Sequence, residues 1–318
     1  MVKNMQPIVV LAGGVGAARF LQGVVAALPV RDLTIVGNVG DDTEIAGLHV
    51  SPDLDTVLYT LTGESDEERG WGVRGDSSRA LERARSLGHD AWFWLGDLDI
   101  GLHLTRTEAL NAGLPLSAVT TQLAGALGLE DRLVPVTDDR LRTIIETPDG
   151  DLDFQTYYVR RGHRDDIVGI RFDGAAAAAP APGVVDAISR AAAIIVAPSN
   201  PLISIGPILA VPGIREALLA RSVPCVAVSP IVGGQALRGP AAEMMRSLGL
   251  EPSPAGVAGL YDGLIDAIVI DDVDHALAAE VEQRGVAVRI TDTIMRDAAA
   301  RRHLATVALE VAGIRLSA

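Results

Sequence analysis

A chain of 318 residues, 48% hydrophobic and 21% charged, is long enough to bury one large core or two moderate ones and too apolar to stay disordered. Its formal charge of -14 excludes nucleic acid as a main partner, because a phosphate backbone demands a basic face. No apolar run approaches the ~20 residues of a membrane span, and Lys3 is the only lysine, which removes Walker-type phosphate loops and Schiff-base lysines together.

The opening "MVKNMQPIVVLAGG" enters an apolar strand with no basic region or cleavage site before it, and the one cysteine, Cys225, lies in an apolar run. Neither export nor an internal disulfide nor a CxxC metal site is expected, and a cytoplasmic location is. Runs rich in Val and Ile place strands at about 8–12, 33–37, 92–95, 193–197, 223–228, 267–270 and 286–290. Helical patterns alternate with them: "AARFLQGVVAALP" puts Phe20, Leu21, Val24, Val25 and Leu28 on one face and stops at Pro29, and 77–87, 213–221, 240–248 and 295–312 behave alike. That alternation is the pattern of a doubly wound α/β fold with a mainly parallel sheet. Residues 98–135 read as mainly helical, and "RTIIETPDGDLDFQTYYV" as a hairpin around Asp149-Gly150. These stretches suggest a core of 1–97 and 184–318 with a smaller helical and β subdomain, 98–183, inserted in it. "DGAAAAAPAPG" reads as a surface connector.

Chemistry concentrates at strand ends. In "VVLAGGVGAARF", Gly13, Gly14 and Gly16 let a phosphate approach the backbone at a helix start, or else form a purely structural tight turn. The dinucleotide fingerprint fails at Arg19, and Asn38 stands where a ribose-binding acid is needed, which disfavours NAD. After the second strand come four aspartates, Asp41, Asp42, Asp53 and Asp55, with no lysine or arginine anywhere from 32 to 68. Either a solvated acidic loop or a hard cation such as Mg²⁺ accounts for them. "SPDLDTVLYTLTG" is a helix with Ser51 as N-cap and Pro52 at its first position, so Asp53 and Asp55 diverge by about 200° and do not serve one ion together. Further along, "APSNPLISIGPIL" and "VSPIVGGQALRGPA" are small-residue loops suited to a nucleotide. "LGDLDIGLHL" places Asp97 and His103 after an aromatic run, and a lone histidine without a second at ligand spacing is not a zinc site.

Taken in order, "LAGGVGAARFLQG", "GDDTEIAG", "SPDLDTVLYTL", "WGVRGD", "LGDLDIGLHLTRT", "APSNPLISIGPIL", "VSPIVGGQALRGPA" and "TDTIM" resemble the 2-phospho-L-lactate transferase family (CofD/FbiA) of coenzyme F-420 biosynthesis. The resemblance implies a Rossmann-like core, a homodimer and Mg²⁺ dependence. It implies transfer of a phosphorylated three-carbon acid from a guanosine diphosphate donor to the ribityl hydroxyl of the deazaflavin Fo, with release of GMP. On the matching positions it makes Asp41 and Asp55 the metal or reaction-centre carboxylates, supported by Asp42 and Asp53, so that Asp55→Ala should stop turnover and spare the fold. Ser199, Asn200, Pro201 and Ser204 with the Gly13-Gly14-Gly16 turn would hold the nucleotide, and Asp97 and His103 would lie near acceptor or diphosphate. The chain departs from the family pattern at Thr43-Glu44, Trp94 and Leu98, where relatives carry aromatic or basic residues. The double aspartate and glycine turn also occur in gluconeogenesis factors, so a non-enzymatic nucleotide-sugar-binding regulator is the rival reading.

Overall fold

Side chains that are apolar at every position cannot face water on either side, and the runs that behave this way pair into one sheet. The computed structural model describes residues 6–28, 33–129 and 132–316, so Lys3 and the expected helix stop at Pro29 lie outside the described residues. In chain order the strands are β1 (Ile8–Ala12), β2 (Leu33–Gly37), β3 (Thr43–Ile45), β4 (Leu48–Val50), β5 (Arg132–Pro135), β6 (Arg142–Thr147) and β7 (Gly150–Asp153). They continue with β8 (Gly169–Asp173), β9 (Ala193–Val196), β10 (Cys225–Val228), β11 (Ile231–Val232), β12 (Gln235–Ala236), β13 (Ala267–Ile270) and β14 (Ala287–Ile290). Seven form the central sheet, in the order β14-β13-β10-β9-β1-β2-β5, with every neighbouring pair parallel.

The helices are α1 (Gly14–Ala27), α2 (Pro52–Leu61), α3 (Arg79–Ser86), α4 (Asp97–Asn111), α5 (Leu116–Ala126) and α6 (Val184–Ser189). Beyond them come α7 (Gly206–Ala210), α8 (Ile214–Leu219), α9 (Ala241–Ser247), α10 (Pro254–Leu260), α11 (Ala278–Glu282) and α12 (Ala298–Val311). α1 packs between α2 and α12 over the sheet, burying Phe20, Leu21 and Val24. The doubly wound α/β, Rossmann-like architecture is thus the observed one. Among the described residues no helix is long and apolar enough to cross a membrane.

Strand order decides where a ligand fits. The chain leaves β1 towards β2 on one side, whereas β9 lies on the other, so the connections diverge between β1 and β9. Open α/β sheets bind ligands in the crevice outside the strand ends at such a switch point.

Three expectations need correction. Residues 92–95 form no strand; Trp92, Phe93 and Trp94 lie in a loop and line a cavity. The seventh strand is instead β5, within the stretch read as helical. Its four residues include exposed Arg132 and terminal Pro135, too short a run to show a two-residue period. The alanine-rich connector is also no free surface loop: Ala175, Ala178 and Ala181 are buried, and the Ala181 N–H donates to the Val136 carbonyl (2.9 Å). The β6–β7 hairpin does close at Pro148-Asp149, with β8 on the other edge of β6.

Candidate active site

β1 ends in the glycine turn, β9 in Pro198-Ser199-Asn200, and the two exits touch. The Gly13 N–H donates to Ser199 Oγ (3.3 Å). At Gly16 a Cβ would fall 2.3 Å from the Pro198 carbonyl oxygen, so α1 can approach β9's exit this closely only without a side chain. Alanine normally favours a helix interior over glycine by about 1 kcal/mol, yet Gly16→Ala should lower stability by about 1–3 kcal/mol, as overpacking does. A urea titration showing the usual gain instead would mean the two loops part freely.

The four aspartates separate by direction. Asp53 leaves the first turn of α2 towards the glycine turn: a Cβ on Gly13 would lie 2.4 Å from its Oδ2. Asn38, at the end of β2, donates through Nδ2 to Asp53 Oδ2 (2.9 Å), Asp41 Oδ1 (3.3 Å) and the Ile203 carbonyl (3.2 Å). Two buried carboxylates therefore share one neutral amide. Burial, then repulsion from Asp53 and Asp42, holds the Asp41 carboxyl well above the ordinary carboxylate range. Burial also pushes Asp53 up to about 7, against the relief given by Asn38. Asp42 turns away and accepts from Ser51 Oγ (2.9 Å), with His49 Nε2 at 3.0 Å. Ser51 thus holds the N-cap position but gives its hydroxyl to Asp42.

Asp55 is different. Arg106 on α4 donates to both its oxygens, Nη1 at 3.0 Å and Nη2 closer, and the Ser51 N–H adds a third bond (3.3 Å). Arg106 is 1% exposed and Asp55 4%. The missing positive charge is thus, for Asp55, encoded 51 residues later in the chain. Asp41 thus shares Asn38 with Asp53, while Asp55, which also borders the cavity at the switch point, is bonded to Arg106. The divergence of Asp53 and Asp55 follows the helical geometry.

A buried chain of polar groups continues from this pair. Arg106 Nη1 donates to His103 Nδ1 (3.2 Å), which places the ring proton on Nε2, 3.3 Å from Asp99 Oδ1. The Tyr59 hydroxyl donates to the same Asp99 oxygen (2.6 Å). Burial opposes the charge on Asp99, but His103 and Tyr59 outweigh it and hold its carboxyl below the usual range. This network fixes α4 against α2 and gives the cavity one polar side.

That cavity, about 870 Å³, runs from the switch point outward. Gly13, Gly14, Gly16, Asp41, Asp53, Asp55, His103, Ser199, Asn200 and Ser204 all border it. Asp42, Asp97 and Pro201 do not. Asp97 accepts from Ser77 Oγ and the Ala80 N–H (3.0 Å), tying α3 to the start of α4. Pro201 opens a helical turn that Asn200 Oδ1 caps by accepting from Leu202 N–H (2.9 Å).

Sequence reasoning missed the far wall. Seven of the chain's eleven aromatic residues border the cavity, including all three tryptophans. Trp71 meets Trp94 edge-on (centroids 5.0 Å, 80°), and the Arg69 guanidinium lies over both, 5.3 and 4.4 Å from their ring centres. Scarcity was the available signal: a chain with 3% aromatic residues spends "WFW" in one place. The site therefore combines phosphate-ready backbone, an unbalanced carboxylate pair and stacking surface for planar rings.

The comparisons with known proteins agree with that chemistry. The sequence matches the family model described as "2-phospho-L-lactate transferase CofD" over residues 8–309. A "Phosphoenolpyruvate transferase" of Streptomyces griseus is 46% identical over 96% of this chain and 98% of its own length. A "2-phospho-L-lactate transferase" of Methanosarcina acetivorans is 36% identical over 93% and 96%. A crystal structure of a UPF0052 family member from Bacillus halodurans, 17% identical, covers 96% of this chain and 99% of its own with a TM-score of 0.63, a likeness of fold alone. On sequence and architecture together, the chain belongs to the CofD family of 2-phospho-L-lactate transferases.

Proposed function

We propose that the chain is a Mg²⁺-dependent transferase of coenzyme F-420 biosynthesis. It moves a phosphorylated three-carbon acid from a guanosine diphosphate-linked donor to the ribityl hydroxyl of the deazaflavin Fo and releases GMP. The observation that carries this reading is the Asp41–Asp53 pair, two buried carboxylates beside a glycine turn with only a neutral amide between them. Such a pair is poorly balanced alone and suits a hard cation, which takes one or two carboxylates and fills its shell with water and substrate phosphate.

Asp41 and Asp53 would hold the ion. When bound, it supplies neutralisation of the diphosphate and of the departing GMP. The N–H groups at the start of α1 hold a phosphate by the same logic. The ribityl oxygen attacks the phosphorus that bears the three-carbon acid; the new P–O bond forms as the bond to the bridging oxygen of GMP breaks. In a loose transition state the hydroxyl keeps its proton until late, so little is asked of a base. Trp71, Trp92 and Trp94 supply the face on which the deazaflavin ring stacks.

Incubation with Fo, Mg²⁺ and guanylylated phosphoenolpyruvate, phospholactate or phosphoglycerate, followed by weighing the product, tests the reading. The phosphoenolpyruvyl donor should turn over best, given the name of the 46% identical relative. Tight binding of a sugar nucleotide with no GMP released from any donor would instead support a regulator.

A further inference from the structure

Three arginines reach the cavity wall: Arg19, Arg238 and Arg296. Arg296 is paired with Asp292. Among the described residues no carboxylate is hydrogen-bonded to, or within ion-pair distance of, Arg19 or Arg238, although both border a cleft that also holds aspartates. Arg19 stands on α1 five residues beyond Gly14, about 7.5 Å further along the helix. Its guanidinium is held below its ordinary proton affinity by burial, then by repulsion from Arg238 and Arg301. Arg301 is occupied with Gln22 and Glu67. Arg238 follows β12, and its guanidinium lies directly on Gly70, where a Cβ would fall 1.9 Å from Nη1. Gly70 adjoins Trp71, which packs on Trp94. Two mutually repelling cations therefore border one cavity with the glycine turn and the tryptophans. Glu67, itself bonded to Arg301, is the anion that acts on Arg19 in the opposite direction, and an anionic ligand between the two cations would relieve the rest.

In the reaction proposed above, on which this inference rests, the group lying between the leaving nucleotide and the acceptor ring is the three-carbon acid. We propose that Arg19 and Arg238 form the subsite for the carboxylate of that acid, gripping it with their planar donor forks. The diphosphate is served by the backbone of the α1 start and by the Asp41–Asp53 side of the cavity, so the arginines set which acids are accepted.

The test uses two ligands in calorimetric titrations: the lactyl ester of guanosine diphosphate, and the isopropyl ester in which a methyl group replaces the carboxylate. Wild-type protein should prefer the lactyl ester by about 10- to 100-fold, the range of a charge-assisted contact. Arg19→Gln and Arg238→Gln should each bring that preference to within about threefold while leaving the isopropyl ester's affinity unchanged, with melting curves confirming an intact fold. Equal losses for both esters would assign the arginines to the diphosphate, and an undiminished preference would remove them from the carboxylate; either result overturns the proposal. Failure of the wild-type protein to bind either ester would overturn the donor reading itself, and shows before any substitution is made.

Discussion

Arg106→Met should lower the melting temperature by about 10 °C, the equivalent of about 3–5 kcal/mol, in a protein of this size. The reason is local. Asp55 is buried, and Arg106 is the cation that meets both of its oxygens. Removing one partner of a buried pair leaves the other charge uncompensated, and the loss of the bond to His103 Nδ1 adds to it. Asp55→Ala should cost a similar amount, because the guanidinium is then stranded at 1% exposure. Asp55→Ala, expected to stop turnover, should therefore also register as a loss of stability. The double replacement Asp55→Leu with Arg106→Met should recover most of the loss, since an apolar pair of similar volume often equals a buried ion pair. Thermal melts of the two single variants and the double variant decide it. A double variant no more stable than either single one would show that the two side chains are not each other's main partners.

What was legible in the sequence is what short-range physics determines. β1 and β9 are apolar at every position, and β2 at all but Thr34, and could be read as buried strands; their parallel pairing follows from the helices between them. The start of α2 was legible from Ser51-Pro52, and the helical angle correctly sent Asp53 and Asp55 in different directions. Which of them finds a cation was not legible. Arg106 lies 51 positions from Asp55 and is brought there only by the packing of α4 beside α2. The glycine turn was recognisable as a turn, but its closeness to Pro198 depends on β9 pairing with β1 across 185 residues. The same holds for the aromatic wall: "WFW" carries strand propensity, and only the completed fold shows that β5 takes the edge place and leaves the tryptophans to the cavity. Arg19, which served to exclude a dinucleotide, lines the cavity without a carboxylate partner among the described residues.

Asp53→Asn should leave the protein folded, remove metal-dependent turnover, and change how stability responds to pH. In the metal-free protein, burial raises the carboxyl of Asp53 to about 7 and that of Asp41 well above its ordinary value. Between the unfolded value near 3.9 and about 7, the folded state therefore binds more protons than the unfolded one. Stability must fall as pH rises through that window, the reverse of the usual salt-bridged aspartate. The penalty is absent below the unfolded value and complete above the folded one. An asparagine at 53 keeps an oxygen to accept from Asn38 Nδ2 and lifts the repulsion on Asp41, so the fall between pH 5 and pH 8 should become shallower. Mg²⁺ should raise the wild-type melting temperature more at pH 8 than at pH 5, because a cation binds the ionised pair and competes with its protons. In Asp53→Asn that gain should be largely lost, while Asp42→Asn, turned towards His49 and Ser51, should keep it. Melting curves from pH 5 to 8 with and without Mg²⁺ measure all of this without an assay of turnover. An equal Mg²⁺ response in wild type and Asp53→Asn would exclude Asp53 from the metal site and return Asp55, despite its arginine, as the candidate.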